Sequence, residues 1–320
     1  MTFFGIDIKE RLAELSGQKP KRNGLCGVQI TSQGVAIAYV LQAENSDPKV
    51  QCYDFISCSS NPDKIISVLT GYVKKNQLEG VPCSWVLQPQ DYMLLPVGVL
   101  PVVQEEIAQA LQFYVKDRIK IGISKAVISH FTLPPIHKGS GDEFIYAVVA
   151  QKDYIENTAR IIRQSGLYLK NIDITEFALR NIIGLFAKKS TKLLNTGLIE
   201  INEFQSTLMF IQSDLIYLIR QIEHDKKISE EENIKKLSIE IQRSLDYYEN
   251  ELGQSPISQF YMLPGYEKIY PSLKSKLSFE HEDLSLDNIL GLLNEKEKNQ
   301  RCLIALGGAL RVENSYATTN

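Results

Sequence analysis

Three short strands joined by tight turns occur twice along this chain, and each triplet is followed by a helix and a further strand. The first triplet is Leu25–Ile30, Val35–Gln42 and Val50–Ser57, with Thr31-Ser32-Gln33-Gly34 as the turn between its first two members. Asn61-Pro62-Asp63 then opens a helix through Ile65, Ile66, Leu69 and Val73, proline being suited to the first helical turn. Val81–Gln88 is the strand that closes this set. The second triplet is Gly197–Asn202, Thr207–Gln212 and Leu215–Arg220. A long helix over about Ser229–Glu251 follows, opened by a Ser229/Glu232 capping box, and then the short strand Gln259–Leu263. Tyr266–Lys274 and Leu286–Leu293 are helical candidates, and Arg301–Arg311 reads as a buried helix. Two halves with one order of elements imply an α/β protein of two related lobes.

A separate unit lies between the halves. Met93–Leu100 is a strand, and the helix from Gln104 runs through Ile107, Leu111, Tyr114, Val115 and Ile119. Ala126–Leu133 and Phe144–Ala150 are strands around the loop Lys138–Asp142. Lys152–Ser165 is a helix that Gly166 ends, and Thr175–Ala187 is another with Thr175 as its cap. The expected division is an N-terminal helix and linker (1–23), a first lobe (24–188) with an inserted β-α-β-β-α subdomain over about 92–166, a second lobe (189–312) and a tail (313–320). Phe3, Phe4, Ile8, Leu12 and Leu15 form one face of the N-terminal helix; Asp7, Glu10 and Glu14 on it disfavour anionic lipid.

Composition narrows the function classes. At 320 residues the chain is too long for one simple core, and its net charge of -3 argues against a nucleic-acid binder. No apolar run approaches the roughly 20 residues that span a bilayer, and the N-terminus lacks the pattern of a secretory signal, so a cytoplasmic protein is expected. Cys26, Cys52, Cys58, Cys83 and Cys302 are odd in number and scattered, which speaks for buried thiols rather than a disulfide framework. Neither the cysteines nor His130, His137, His224 and His281 fall at zinc spacing, so no metal site is expected.

Several stretches, taken in order, resemble the PilM/MshI family of pilus assembly proteins, the MshI branch most of all. They are Asp91-Tyr92-Met93-Leu94-Leu95, Val115-Lys116-Asp117-Arg118-Ile119, Ile172-Asp173-Ile174, Phe177-Ala178-Leu179-Arg180, Glu240-Ile241-Gln242-Arg243-Ser244-Leu245-Asp246-Tyr247-Tyr248 and Leu306-Gly307-Gly308-Ala309-Leu310-Arg311. The resemblance spans about Gly24 to Arg311. It implies an actin-like (ribonuclease H-like) two-lobed fold with an inserted subdomain, working at the inner membrane of a Gram-negative bacterium.

Actin-like nucleotide sites wrap phosphates between two hairpin turns, with glycines for close backbone approach and an acid in each for Mg²⁺. At the family's first motif this chain has Gln29 for the acid and Thr31 for a glycine, with Ser32 in the turn. At the second it keeps Glu200 but has Asn202 for glycine and adds Glu203. Pro264-Gly265 is what remains of the adenosine-side glycines, and Glu240 and Arg243 are the remaining candidates. These positions describe a degenerate nucleotide site, with ATP and Mg²⁺ as doubtful ligands and no catalytic residues. Glu240 and Arg243 read equally well as a helix-surface pair at i, i+3.

The resemblance therefore implies a non-catalytic or weakly nucleotide-binding cytoplasmic scaffold of type IV (MSHA-like) pilus biogenesis. Its partner would be the cytoplasmic tail of a PilN/MshJ-type bitopic inner-membrane protein, docked near the inserted subdomain. Assembly ATPase components and a homo-oligomer stay open as further partners. The alternative is an ATP-binding actin-like ATPase switch, in pilus assembly or in type II secretion as in GspL.

Overall fold

The computed structural model describes residues 24–43, 46–98, 100, 106–134, 144–189, 195–201, 205–212, 215–257, 259–263, 270–277, 281–284, 290, 292 and 296–312. The N-terminal helix and linker, the loop 138–142, Asn202, Gly265 and the tail lie outside them. Two compact units result: Met1–Thr132, Phe144–Ile182 and Leu292–Asn320 form the first, and Leu133–Glu143 with Ile183–Gly291 the second.

The first unit centres on β1 (Leu25–Thr31), six of whose seven residues are buried. A strand covered on both faces reads as a near-continuous apolar run, as β1 does apart from Gln29. It pairs antiparallel with β2 (Gly34–Ala43), which pairs antiparallel with β3 (Ser46–Ser57). The β1–β2 turn needs Gly34, at φ +153° with room for a Cβ only 2.3 Å from the Ile56 carbonyl oxygen. Helix α1 (Pro62–Lys75) starts at Asn61, whose side chain accepts from the Asp63 N–H at 2.9 Å, with Pro62 in the first turn. It leads to β4 (Pro82–Leu87), fully buried and parallel to β1.

The insert follows. Strand β5 (Tyr92–Gly98), helix α2 (Ile107–Lys116), strand β6 (Ala126–Leu133) and strand β7 (Phe144–Gln151) build a three-stranded sheet in the order β5-β7-β6. Ile107, Leu111 and Val115 of α2 cover one face against Ala126, Ile145, Ala147 and Val149. Helix α3 (Lys152–Gln164), assigned from sequence to the insert, instead also packs on α1 and on β8 (Tyr168–Ile174), which runs parallel to β4 at the sheet edge. Its buried stripe of Ile155, Ala159, Ile161 and Ile162 needs more apolar surface than three short strands offer. Gly166, at φ +95°, turns the chain after it.

Helix α4 (Thr175–Lys189) comes next, and Thr175 Oγ1 ties its start to the Leu87 carbonyl at 2.9 Å.

The second unit repeats the plan. β9 (Asn195–Ile201), β10 (Gln205–Gln212) and β11 (Leu215–Glu223) form an antiparallel set. Helix α5 (Glu230–Asp246) begins with Ser229 and Glu232 in a closed capping box. Its sequence pattern continues to Glu251, but the last turn, Tyr247–Glu251, widens into a π-helix. β12 (Gln259–Met262) runs parallel to β9, the short helix α6 (Tyr270–Lys274) follows, and β13 (His281–Asp283) runs parallel to β12. Phe210, Tyr248 and Phe260 fill the core in edge-to-face contact, and the Phe260 ring takes the space where Gly197 lacks a Cβ.

Helix α7 (Lys296–Ala309) belongs to the first unit, where the sequence division had put residues to 312 in the second. Its small residues are the reason. A Cβ on Gly27 of β1 would lie 1.8 Å from the Ala305 carbonyl oxygen, and one on Gly307 would lie 2.3 Å from that of Ala178 in α4. Backbone meets backbone at both places. Asn181 donates to the Gly307 carbonyl at 3.0 Å and Gln42 to that of Ala309 at 2.7 Å. Past the helix, Arg311 and Asp173 of β8 form a buried ion pair at 2.5 Å.

The two five-stranded sheets have matching orders, β3-β2-β1-β4-β8 and β11-β10-β9-β12-β13. In each, an antiparallel trio adjoins two parallel strands. The fifth strands, β8 and β13, have no counterpart in the sequence reading. Lys170 and Asn171 interrupt the first, and the second is only three residues long.

Candidate functional site

The first hairpin turn satisfies itself. Gln33 donates its backbone N–H to Thr31 Oγ1 at 3.2 Å, and that hydroxyl donates to the Gly34 carbonyl at 3.1 Å. A threonine where a glycine would open the backbone thus supplies the oxygen that a phosphate would otherwise offer. Arg301 of α7 donates to the Gln33 side chain at 3.2 Å, and the Cys58 N–H donates to the Gln33 carbonyl at 3.3 Å, so the turn is held from two sides. Ser32 is exposed at its tip. Gln29 is buried on β1, in register with Ala36. It carries no charge with which to hold a cation.

Just past β4, Gln88 donates to the Ile30 carbonyl at 2.8 Å and so joins the ends of β4 and β1. Asp91 accepts from the Gln88 N–H at 3.1 Å and from the Tyr154 hydroxyl at 2.8 Å. Burial pushes the Asp91 carboxyl up, while those two hydrogen bonds pull it back. Tyr92 donates to the fully buried Glu176 at the start of α4. Two tyrosine–carboxylate bonds therefore tie the start of the insert to α3 and α4. Sequence reasoning singled out neither of them, because the partners are distant in the chain.

In the second unit Glu200 is half-buried on β9, in register with Thr207. Glu240 and Arg243 form an ion pair at 2.7 Å along α5, the helix-surface arrangement their spacing allows. The first-hairpin set and the second-unit set belong to different units. Among the described residues there is no group of three or more His, Cys, Asp and Glu side chains that could hold a metal ion.

A β-β-β-α-β plan repeated with the same sheet order, and an insert after the fourth strand, decides the architecture. The fold is actin-like. Solved structures agree. A chain of the PilM-PilN type IV pilus biogenesis complex superposes with a TM-score of 0.66 at 14% identity, over 90% of this chain and 98% of that one. The cytoplasmic domain of EpsL, an inner membrane component of the type II secretion system of Vibrio cholerae, gives 0.51 at 12% identity, over 92% and 98%. No protein-family model and no curated protein matches the sequence. At such identities the likeness establishes the actin-like fold. Within it, the stretches that carry the sequence resemblance have mostly structural work. Asp173 pairs with Arg311, Gly307 seats against Ala178, and Tyr92 bonds Glu176.

Proposed function

We propose that this chain is a scaffold of type IV pilus assembly, of the MshI kind within PilM-like proteins, that docks a short peptide tail and does not turn over ATP. The observation that carries the reading is the self-satisfied first hairpin. Its Gln33 N–H is spent on Thr31, and Gln29 stands where a Mg²⁺-organising acid belongs. The residues of this hairpin do not fit a phosphate clamp.

The likeness to a chain solved in a PilM-PilN complex supports a PilN-type tail as the partner. Such a tail would sit where the insert adjoins the main sheet. There, Phe131 stacks on Tyr146 at 5.5 Å between ring centres and meets Phe177 of α4 edge-on at 4.7 Å, and Phe131 and Phe144 are half-buried. Aromatic side chains of this kind give a peptide large contact area at low entropic cost. No helix among the described residues is long and apolar enough to cross a membrane, so a membrane-anchored partner would set the protein's place at the inner membrane. The second reading, an ATP-gated switch as in type II secretion, draws on Glu200, which keeps an acid in the second hairpin. Calorimetric titration with Mg-ATP separates the two. The scaffold shows no saturable heat at millimolar nucleotide, whereas micromolar binding weakened by Glu200→Ala would establish the switch.

A further inference from the structure

The insert carries a fixed patch of cations with no acidic partner among the described residues. In a chain of net charge -3, the ten residues Lys116–Lys125 hold Lys116, Arg118, Lys120 and Lys125 against the single acid Asp117. All four cations are exposed. Among the described residues none of them makes an ion pair, in contrast to Arg243, Arg301 and Arg311. The segment is built rather than loose. Ile119, Ile121 and Ile123 pack against the core beneath α2, alternating with outward Lys120, Gly122 and Ser124. The Arg118 and Ile119 N–H groups bond the Val115 carbonyl, and the Lys125 N–H bonds that of Gly122 at 2.9 Å. Arg118 lies over the Tyr114 ring at 3.9 Å.

Lys116 and Arg118 also suit the C-terminal end of a helix. Lys120 and Lys125 lie beyond that effect, and it does not account for Phe113. This ring is 71% exposed, one helical turn before Lys116 and on the same helix face. An exposed aromatic beside a fixed cationic strip is the combination that suits an anionic lipid surface, where the ring enters the headgroup boundary and the cations meet phosphate. The net charge of -3 speaks against nucleic acid as the occupant, and an acidic protein is left as an outcome of the test.

We infer that Phe113, Lys116, Arg118, Lys120 and Lys125 form a contact for an anionic membrane surface. The inference rests on the proposed work beside a membrane protein, to which it adds a second, direct attachment. Each basic residue at such a surface is worth roughly a fivefold gain in partition, so the patch alone binds weakly and reinforces a tethered partner.

The test is sedimentation of the full chain with vesicles of phosphatidylglycerol and phosphatidylethanolamine, and with phosphatidylcholine vesicles alone. We expect retention by the anionic vesicles only, lost at high salt. The variant Lys116→Gln/Arg118→Gln/Lys120→Gln/Lys125→Gln should bind at least about tenfold more weakly. Phe113→Ser should weaken binding without changing its salt dependence. Circular dichroism checks that both remain folded, as substitutions at exposed positions should. Equal retention by both vesicle types, or by neither, overturns the inference. So does anionic binding that the fourfold variant keeps, which would place the attraction elsewhere in the chain. Patch-dependent retention on polyglutamate resin without vesicle binding would reassign the strip to an acidic protein and overturn the lipid assignment. Titration of the same variants with a PilN-type tail peptide in solution reports on the docking reading separately.

Discussion

At the scale of single residues, the buried ion pair of Asp173 and Arg311 has the largest consequence. Both side chains are almost wholly inaccessible, so removing one strands the other charge. Asp173→Ala should cost about 3–5 kcal/mol in urea unfolding. Adding Arg311→Met to it should recover part of the loss, because the guanidinium is then no longer left behind. An additive double variant would show that the two do not act as a pair. The thiols make a second case. Burial pushes Cys26 and Cys83 well up and Cys302 up to about 12, so few thiolates exist there at neutral pH. Cys58 is raised by burial alone and is only half-buried. A thiol reagent at pH 8 should therefore label Cys58 long before Cys26, Cys83 and Cys302. Simultaneous labelling of all of them would contradict this packing.

At the scale of elements, the contact of α7 with β1 depends on missing side chains. Gly27→Ala forces a methyl group into the Ala305 carbonyl and should destabilise by about 1–3 kcal/mol. Gly71 of α1 is a matched control, since nothing lies within 4 Å of a Cβ there. Gly71→Ala should leave stability unchanged or raise it by up to about 1 kcal/mol. Denaturation midpoints of the two variants measure both. Elements were also where the sequence was most and least readable. The strand triplets, Asn61 and Ser229 at their helix starts and the turn at Gly34 follow from local chemistry and are found as expected. The place of α7 does not follow from local pattern. Its glycines are informative only once the strand they press on is known. The π-turn after Asp246, which carries the buried Tyr248, is likewise not revealed by spacing.

At the scale of the whole molecule, the duplicated sheet made the architecture readable, because the same alternation of apolar strands is written twice. The candidate site was readable only in what it lacks. Against the resembled motif Gln29 and Thr31 stand in place of an acid and a glycine, but the hydrogen bond by which Thr31 occupies the Gln33 N–H needs three-dimensional geometry. The tie between the start of the insert and α4 needed it too, since Tyr92 and Glu176 are 84 residues apart in the chain. On the proposed scaffold reading, tail docking does not depend on nucleotide. Calorimetric titration of the full chain with a PilN-type tail peptide, in the presence and absence of millimolar Mg-ATP, tests that most directly. Saturable binding of the tail with the same affinity in both conditions is the predicted result. Binding that requires Mg-ATP, or that shifts tenfold with it, would contradict the account.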